Sequence, residues 1–281
     1  MRRAVITSAC AAVLAGACGF ANATIVFRDD FENITAGAYP DAGNDLDPIA
    51  QTGVWGLTEG TISSVQVSTD YSPINGTRAL VLNRNGAAND LRANLSNAVP
   101  AAPADPVKIS FKYKDPSPDS AFGGVTDCME LLGYNDTDSN YDNQIFGIRI
   151  FKGWGNADDV YVGFGADASY GNPGNSTRFI NAAGTGPASQ WQQVELTMDF
   201  VNKTYTFALN GNTLPGTTNI AFNGDAATAS QIQQFMFYHL YSTNSRFVID
   251  DVVVESVPEP TSMALLALGG AAAFGRRRAL M

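Results

Sequence analysis

Two groups of carboxylates stand near the two ends of this chain. The opening stretch FRDDFEN holds Asp29, Asp30 and Glu32, and the late stretch FVIDDVVVE holds Asp250 and Asp251. Adjacent carboxylates repel one another unless a cation shares them, and clusters of oxygen ligands suit Ca²⁺. The pattern therefore predicts a structural Ca²⁺ site. The alternative is that strand alternation turns one carboxylate of each pair to solvent while the other caps a turn.

A second acidic stretch, NDTDSNYDN at 135–143, has an Asp or Asn at every second position from Asp136. An EF-hand counted from Asp136 needs a glycine sixth and a glutamate twelfth, but Tyr141 and Gly147 stand there. We interpret the stretch as a solvated loop between two strands.

Three tryptophans are the candidate sugar-stacking side chains. Trp154 lies between two glycines in FKGWGNADD, so its ring can stand open in a loop, where Asn156 and Asp158 can bind hydroxyl groups. The alternative for Trp154 is a place in the core. Trp55 and Trp191 stand at strand starts, and both are predicted to be buried.

Catalytic patterns are weak in this sequence. The only histidine, His239, lies in the apolar stretch FMFYHL and is interpreted as structural. No glutamate stands in the Glu-x-Asp-x-x-Glu pattern of jelly-roll glycosidases, whose chemistry uses paired carboxyl groups. We predict that the protein is not an enzyme, with a divergent polysaccharide hydrolase or lyase as the alternative.

The elements that position these residues are predicted to be strands. Apolar residues alternate with polar ones in eleven stretches, and clusters of Gly, Asn and Pro separate them. The stretches are 24–31, 63–68, 78–84, 107–114, 128–134, 144–152, 159–165, 192–200, 203–211, 232–240 and 246–255. This pattern favours an all-β fold, a two-sheet antiparallel β-sandwich over residues 24–256.

The first 23 residues have the composition of a secretory signal peptide. Arg2 and Arg3 precede an apolar helix-forming stretch, and Ala21 and Ala23 form a small-x-small cleavage site. Lipoprotein processing at Cys18 is disfavoured, because it needs a large aliphatic residue three positions earlier. Cleavage after Ala23 predicts an exported protein.

Processing also changes the charge and the cysteine content. The whole chain has 17 basic and 27 acidic residues; without the five arginines at its ends and Glu259, 12 and 26 remain, a net charge of −14. Such a surface repels nucleic acid, so we expect no nucleic-acid partner. Cys128 is the one cysteine between the two terminal segments, which leaves no partner there for a disulfide.

The segment 257–281, VPEPTSMALLALGGAAAFGRRRALM, has three parts. A motif of Val257, Pro258, Glu259 and Pro260 precedes 14 mostly apolar residues, and Arg276, Arg277 and Arg278 follow. The apolar stretch is shorter than the roughly 20 residues that cross a bilayer, and basic residues favour the cytoplasmic side. The order predicts a short hydrophobic helix that inserts transiently in the membrane.

This tail resembles the PEP-CTERM sorting domain. The resemblance implies recognition by an exosortase after export by the secretion machinery, cleavage near the motif, and a final location at the cell surface or outside the cell. The family is linked to bacteria that make exopolysaccharide or biofilm.

The body resembles the concanavalin A-like and carbohydrate-binding-module jelly rolls, through FRDDFEN, GTRALVL, the WQQVELTMDFVNKTYTFALNG hairpin and FVIDDVVVE. The resemblance implies that the first and last strands pair, and that Glu32 and Asp251 are Ca²⁺ ligands. It also implies a non-catalytic glycan-binding or adhesion module, and a purely structural matrix protein remains a further alternative.

Overall fold

A computed structural model shows the arrangement of the chain. It describes residues 23–38, 53–56, 65–71, 76–83, 89–99, 105–116, 128–136, 143–152, 160–164, 178–182, 187–223, 228–239 and 246–257. Within these ranges the regular structure consists of strands and no α-helix. The predicted signal helix and C-terminal helix lie outside the described residues. The segment Ile25–Ser256 forms one compact unit.

Sixteen strands follow one another along the described chain. They are β1 (Thr24–Asp29), β2 (Gly53–Gly56), β3 (Val65–Ser68), β4 (Ala79–Asn83), β5 (Asn89–Val99), β6 (Val107–Lys114), β7 (Cys128–Tyr134), β8 (Gln144–Lys152), β9 (Val160–Phe164), β10 (Arg178–Asn181), β11 (Gln192–Asp199), β12 (Thr204–Leu209), β13 (Asn212–Thr213), β14 (Ile220–Ala221), β15 (Ile232–His239) and β16 (Arg246–Ser256). All eleven predicted strands are present. The five that were not predicted are β2, β5, β10, β13 and β14.

The strands form two antiparallel sheets. Sheet A has the order β13-β12-β11-β6-β16-β4-β3, with β1 beside β16 and β14 beside β12, and sheet B has the order β10-β9-β8-β7-β15-β5-β2. The predicted all-β fold, a two-sheet antiparallel sandwich, is confirmed. The first strand pairs with the last, as the jelly-roll resemblance implies.

Side-chain alternation explains why these segments form the sandwich. In β6 and β11 every second side chain is buried and the next is partly exposed. One face of each strand thus enters the shared core and the other faces outward, which is how a half-buried antiparallel strand behaves. The register between β6 and β11 aligns their buried residues, since Val194 lies opposite Phe111 and Leu196 lies opposite Ile109.

The core between the sheets is rich in aromatic rings. Trp55 on β2 contacts Phe27 at 5.3 Å and Phe235 at 5.8 Å between ring centroids, both edge to face. Phe237 of β15 meets Phe111 of β6 at 5.0 Å, so rings from both sheets interlock. Trp55 is 4% exposed, which confirms its predicted place in the core.

Trp191 differs from its prediction. It is only partly buried and packs against the small cluster of Ala79, Val81 and Val248 rather than the main core. The neighbours of Val81 and Val248 along their strands belong to the main core, so this cluster lies on the outer face of sheet A. The strand-start position alone did not distinguish the two faces.

Glu32 links the turn after β1 to the loop before β4 through hydrogen bonds. Its Oε1 accepts hydrogen bonds from the backbone N–H groups of Thr77 and Arg78, each at 2.7 Å. Its Oε2 accepts from the Thr77 hydroxyl at 3.1 Å, and the Arg78 guanidinium donates to the Glu32 carbonyl. Gly76, at φ 126°, lies directly beneath this carboxylate.

Gly76→Ala is expected to break this link. The new Cβ would lie 2.2 Å from Glu32 Oε1, in addition to the strain of the positive φ. The control is Gly37→Ala, because Gly37 has φ 84° but open space around its Cβ, so it reports strain alone, about 1–2 kcal/mol. We expect Gly76→Ala to cost about 1–3 kcal/mol more than the control in urea unfolding. Equal losses would contradict the role given to Glu32.

Candidate functional site

Asp29, the first of the predicted carboxylates, belongs to the core. It is 1% exposed; one carboxylate oxygen accepts the indole N–H of Trp55 at 2.5 Å and the other accepts the backbone N–H of Phe31 at 2.7 Å. Both oxygens therefore have donors within the protein, and the side chain ties β1 to β2 across the two sheets. This matches the alternative in which one carboxylate of the pair caps a turn.

The next two carboxylates, Asp30 and Glu32, are also engaged with the protein. Asp30 accepts the backbone N–H of Glu32 at 3.1 Å and lies 3.9 Å from the guanidinium of Arg28. Glu32 holds the loop at Thr77 and Arg78 through both of its oxygens. Both oxygens of Glu32 and one oxygen of Asp30 therefore already accept hydrogen bonds that the fold uses.

Asp250 and Asp251 lie at an irregularity in β16. The register between β16 and β6 shifts between Asp250 and Val253, and Asp251 has φ 51°. Ordinary alternation from Val248 places Asp250 on the outer face of sheet A just before the β-bulge, yet the side chain is fully buried. Its Oδ1 accepts the N–H of Asp251 at 2.8 Å, and its Oδ2 has no hydrogen-bond partner among the described residues.

The electrostatics of Asp250 reflect its neighbours. Burial, followed by the charge of Asp251 and the weaker charges of Glu32 and Asp30, raises the pKa of Asp250 to about 8. Four of the five predicted carboxylates, Asp30, Glu32, Asp250 and Asp251, therefore interact electrostatically. However, the described part of the chain holds no set of three or more His, Cys, Asp or Glu side chains arranged to bind a metal. A cation here could use Asp250 Oδ2, and peptide carbonyls or water would have to complete its shell.

The predicted Ca²⁺ site is tested by thermal melts of the purified protein with a chelator and with added Ca²⁺. If Ca²⁺ at about 100 times its Kd binds only the folded state, it adds roughly 2.7 kcal/mol of stability. We expect the melting temperature to rise by about 5–10 °C and Asp250→Asn to abolish the rise. Asp70→Asn, a change at an exposed carboxylate, is the control. A melt that neither chelator nor Ca²⁺ moves rules out the site.

A second polar cluster, which the sequence did not indicate, lies on sheet B. Glu130 of β7 is directly opposite Arg149 of β8, and the Nε of Arg149 donates a hydrogen bond to Oε1 of Glu130. Met129 and Leu131 beside Glu130 belong to the main core, so Glu130 and Arg149 are on the other face of the sheet. Both are nevertheless buried, at 0% and 1% exposure.

This pair keeps unused hydrogen-bonding capacity. Both terminal nitrogens of Arg149 and Oε2 of Glu130 lack hydrogen-bond partners among the described residues. Leu132 and Tyr134 of β7 and Met236 and Tyr238 of β15 are buried outside the main core cluster. Two donors and an acceptor thus remain unused within a buried cluster, where unmet hydrogen-bonding groups reduce stability.

Burial also changes the acidity of Glu130. Removal from water raises its pKa from the ordinary 4.5 to about 7, although the nearby Arg149 charge acts in the opposite direction. Because the folded state holds this proton more tightly than the unfolded state, Glu130 reduces stability progressively as the pH rises from 4.5 to about 7.

We expect urea unfolding to show this loss as a decrease of roughly 3 kcal/mol between pH 4.5 and 7. Glu130→Gln should flatten that part of the pH profile, because the amide does not titrate; above about pH 7 the variant also lacks the negative charge beside Arg149. Glu195→Gln, at a partly exposed carboxylate, is the matched control and should keep the wild-type slope. Parallel profiles for wild type and Glu130→Gln would contradict the raised pKa.

Several predicted residues fall outside the described ranges. Trp154, Asn156 and Asp158 do so, and their role in sugar stacking stays a prediction. The structure describes the ends of the 135–143 stretch, where the side-chain amide of Asn143 donates to Asp136 at 2.7 Å and β7 and β8 pair on either side. In the sorting segment, Val257 is the last described residue.

Comparison with known proteins places the tail and the fold. Residues 256–279 match the PEP-CTERM protein-sorting motif, as the sequence predicts. This motif implies an exported, membrane-transiting protein that is processed by an exosortase and ends on the cell surface. No helix among the described residues is long and apolar enough to span a membrane. No curated protein sequence matches the chain.

Solved structures share the fold of the body at low sequence identity. An endo-1,3-β-glucanase from Streptomyces sioyaensis has a TM-score of 0.55 at 14% identity, with 85% of this chain and 98% of that chain covered. A carbohydrate esterase from the Shiga toxin-encoding bacteriophage phi24B has a TM-score of 0.52 at 14% identity, covering 84% and 100%. The T. cruzi calreticulin globular domain has a TM-score of 0.50 at 12% identity, covering 90% and 98%. The class is therefore a jelly-roll β-sandwich that carries a C-terminal sorting motif.

Proposed function

We propose that this protein is a cell-surface or matrix component whose β-sandwich binds exopolysaccharide without catalysis. The observation that carries the proposal is the sorting motif directly after the sandwich: β16 ends at Ser256, and the match begins at residue 256. Exosortase cleavage beyond Ser256 leaves every described strand in place, so the released body keeps its fold. The secretion machinery and an exosortase are its transient partners, and the segment 262–275 inserts in the membrane only until cleavage.

The ligand class rests on location and on fold likeness together. A protein delivered to the cell surface meets polysaccharide there, and the glucanase and the esterase that share its fold are both named for action on carbohydrate. The proposed Ca²⁺ ion at Asp30, Glu32, Asp250 and Asp251 has a structural role, at a site separate from Glu130 and Arg149.

A divergent glycan hydrolase or lyase is the second candidate, and the acidity of Glu130 favours it. A carboxyl group with a pKa near 7 suits a general acid at neutral pH. Glycoside hydrolysis, however, uses two carboxyl groups in most families. The residues opposite Glu130 on the neighbouring strands are Arg149 and Tyr238, so we favour binding over catalysis.

The test combines mass spectrometry with an incubation assay. The protein recovered from native cells and medium should have the mass of a chain cut after Ala23 and near the Pro-Glu-Pro motif, and it should sediment with polysaccharide without releasing sugar products. A mature mass that retains residues 261–281 contradicts sorting. Product release that Glu130→Gln abolishes would establish the enzymatic alternative, while a protein that neither sediments nor cleaves would be a purely structural matrix component.

A further inference from the structure

The outer face of sheet A has a small apolar cluster against which two aromatic side chains pack. Val81 of β4 and Val248 of β16 lie opposite each other in the register and form this cluster with Ala79, and all three side chains are buried. Tyr71 and Trp191 pack against this cluster, and both are partly exposed. We call the surface formed by these five residues the outer platform.

The Tyr71 end of the outer platform is a defined cleft. Arg246 donates a hydrogen bond from Nη1 to the Tyr71 hydroxyl at 2.8 Å, which fixes the ring against the start of β16. The cleft has a volume of about 160 Å³, below the range of drug-sized pockets and suited to a single small ring. Its lining is mainly polar: Gln66, Ser68, Asp70, Tyr71, Val81, Asn83 and Arg246.

The Trp191 end lies two strands further across the sheet. Val248 pairs with Lys114 of β6, and the Lys114 ammonium lies 5.9 Å from the centre of the Trp191 ring. Because β4, β16 and β6 are neighbouring strands, β4 and β6 lie about 10 Å apart across the sheet. The Lys114 ammonium attracts the Trp191 ring and helps to hold it in place. This end of the outer platform therefore has an aromatic ring and a hydrogen-bond donor side by side.

We infer that the outer platform is a binding site for a short segment of a neutral glycan chain, with one sugar ring in the cleft beside Tyr71 and the chain continuing towards the exposed part of the Trp191 ring. Pyranose rings present apolar C–H faces that stack on aromatic rings, and their hydroxyls need donors and acceptors at the rim. The amides, Asp70 and Arg246 supply both. This inference rests on the proposed function, since it names where the sandwich binds polysaccharide.

The charge of the protein favours a neutral chain over an acidic one. The body carries a net charge of −14 without its terminal segments, which repels a polyanion at long range. At the outer platform, Asp70 balances one of the two cations, Lys114 and Arg246, and each cation is already engaged with an aromatic side chain.

Affinity electrophoresis of the secreted protein tests the inference. The gels contain laminarin (a β-1,3-glucan), hydroxyethyl cellulose (a β-1,4-glucan), polygalacturonate, or the polysaccharide purified from the source culture. We expect a neutral polysaccharide to retard the wild type, and Trp191→Ala and Tyr71→Ala each to weaken that retardation about tenfold. Trp191→Phe should retain most of it, because the ring remains. Urea midpoints establish that each variant is folded.

Two control variants separate the possible outcomes. Val201→Ala changes an exposed apolar side chain elsewhere and should bind as the wild type does. Trp154→Ala tests the site predicted from the sequence. Wild-type retardation that Trp191→Ala and Tyr71→Ala leave unchanged overturns the outer platform while the proposed function stands, as does preferential retardation by polygalacturonate. A wild type that none of the four polysaccharides retards overturns both.

Discussion

The position of the last strand constrains the whole structure. β16 lies in the middle of sheet A between β6 and β4, and β1 also pairs with it. Its residues Phe247, Ile249, Val252 and Val254 enter the core, so neither the sheet nor the core is complete until the chain is nearly finished. Because the sorting motif begins where β16 ends, cleavage beyond Ser256 would remove a signal without removing a described strand.

The two outer faces of the sandwich differ in how far their charged side chains are buried. On sheet B, Glu130 and Arg149 are withdrawn from water, where an ion pair contributes little net stability and a broken one is costly. On sheet A, the partly exposed Lys114 lies near the Trp191 ring and the exposed Arg246 donates to the Tyr71 hydroxyl. The first arrangement makes the stability of the fold sensitive to pH, whereas the second leaves a surface that a ligand can reach without disturbing the core.

The sequence was most informative where alternation is regular. VKISFKYK and QQVELTMD predict β6 and β11 because each alternates apolar and polar residues, but NDLRANLSNAV, which forms the 11-residue β5, alternates poorly and has few β-branched residues. Glu130 and Arg149 lie 19 positions apart and meet only through strand register. Trp191 was placed in the core because local sequence does not tell which face of a strand start is covered.

The same limit explains the carboxylates at the two ends of the chain. The pairing of the first and last strands predicts that these carboxylates lie near one another. The contacts that each carboxylate makes depend on local backbone geometry. Asp29 points inward to Trp55, Glu32 reaches a loop 45 residues away, and Asp250 lies on the outer face beside a bulge but is nevertheless buried. Alternation assigns a residue to a face only while the register is continuous. Bulges and turns, where functional residues concentrate, are where it stops.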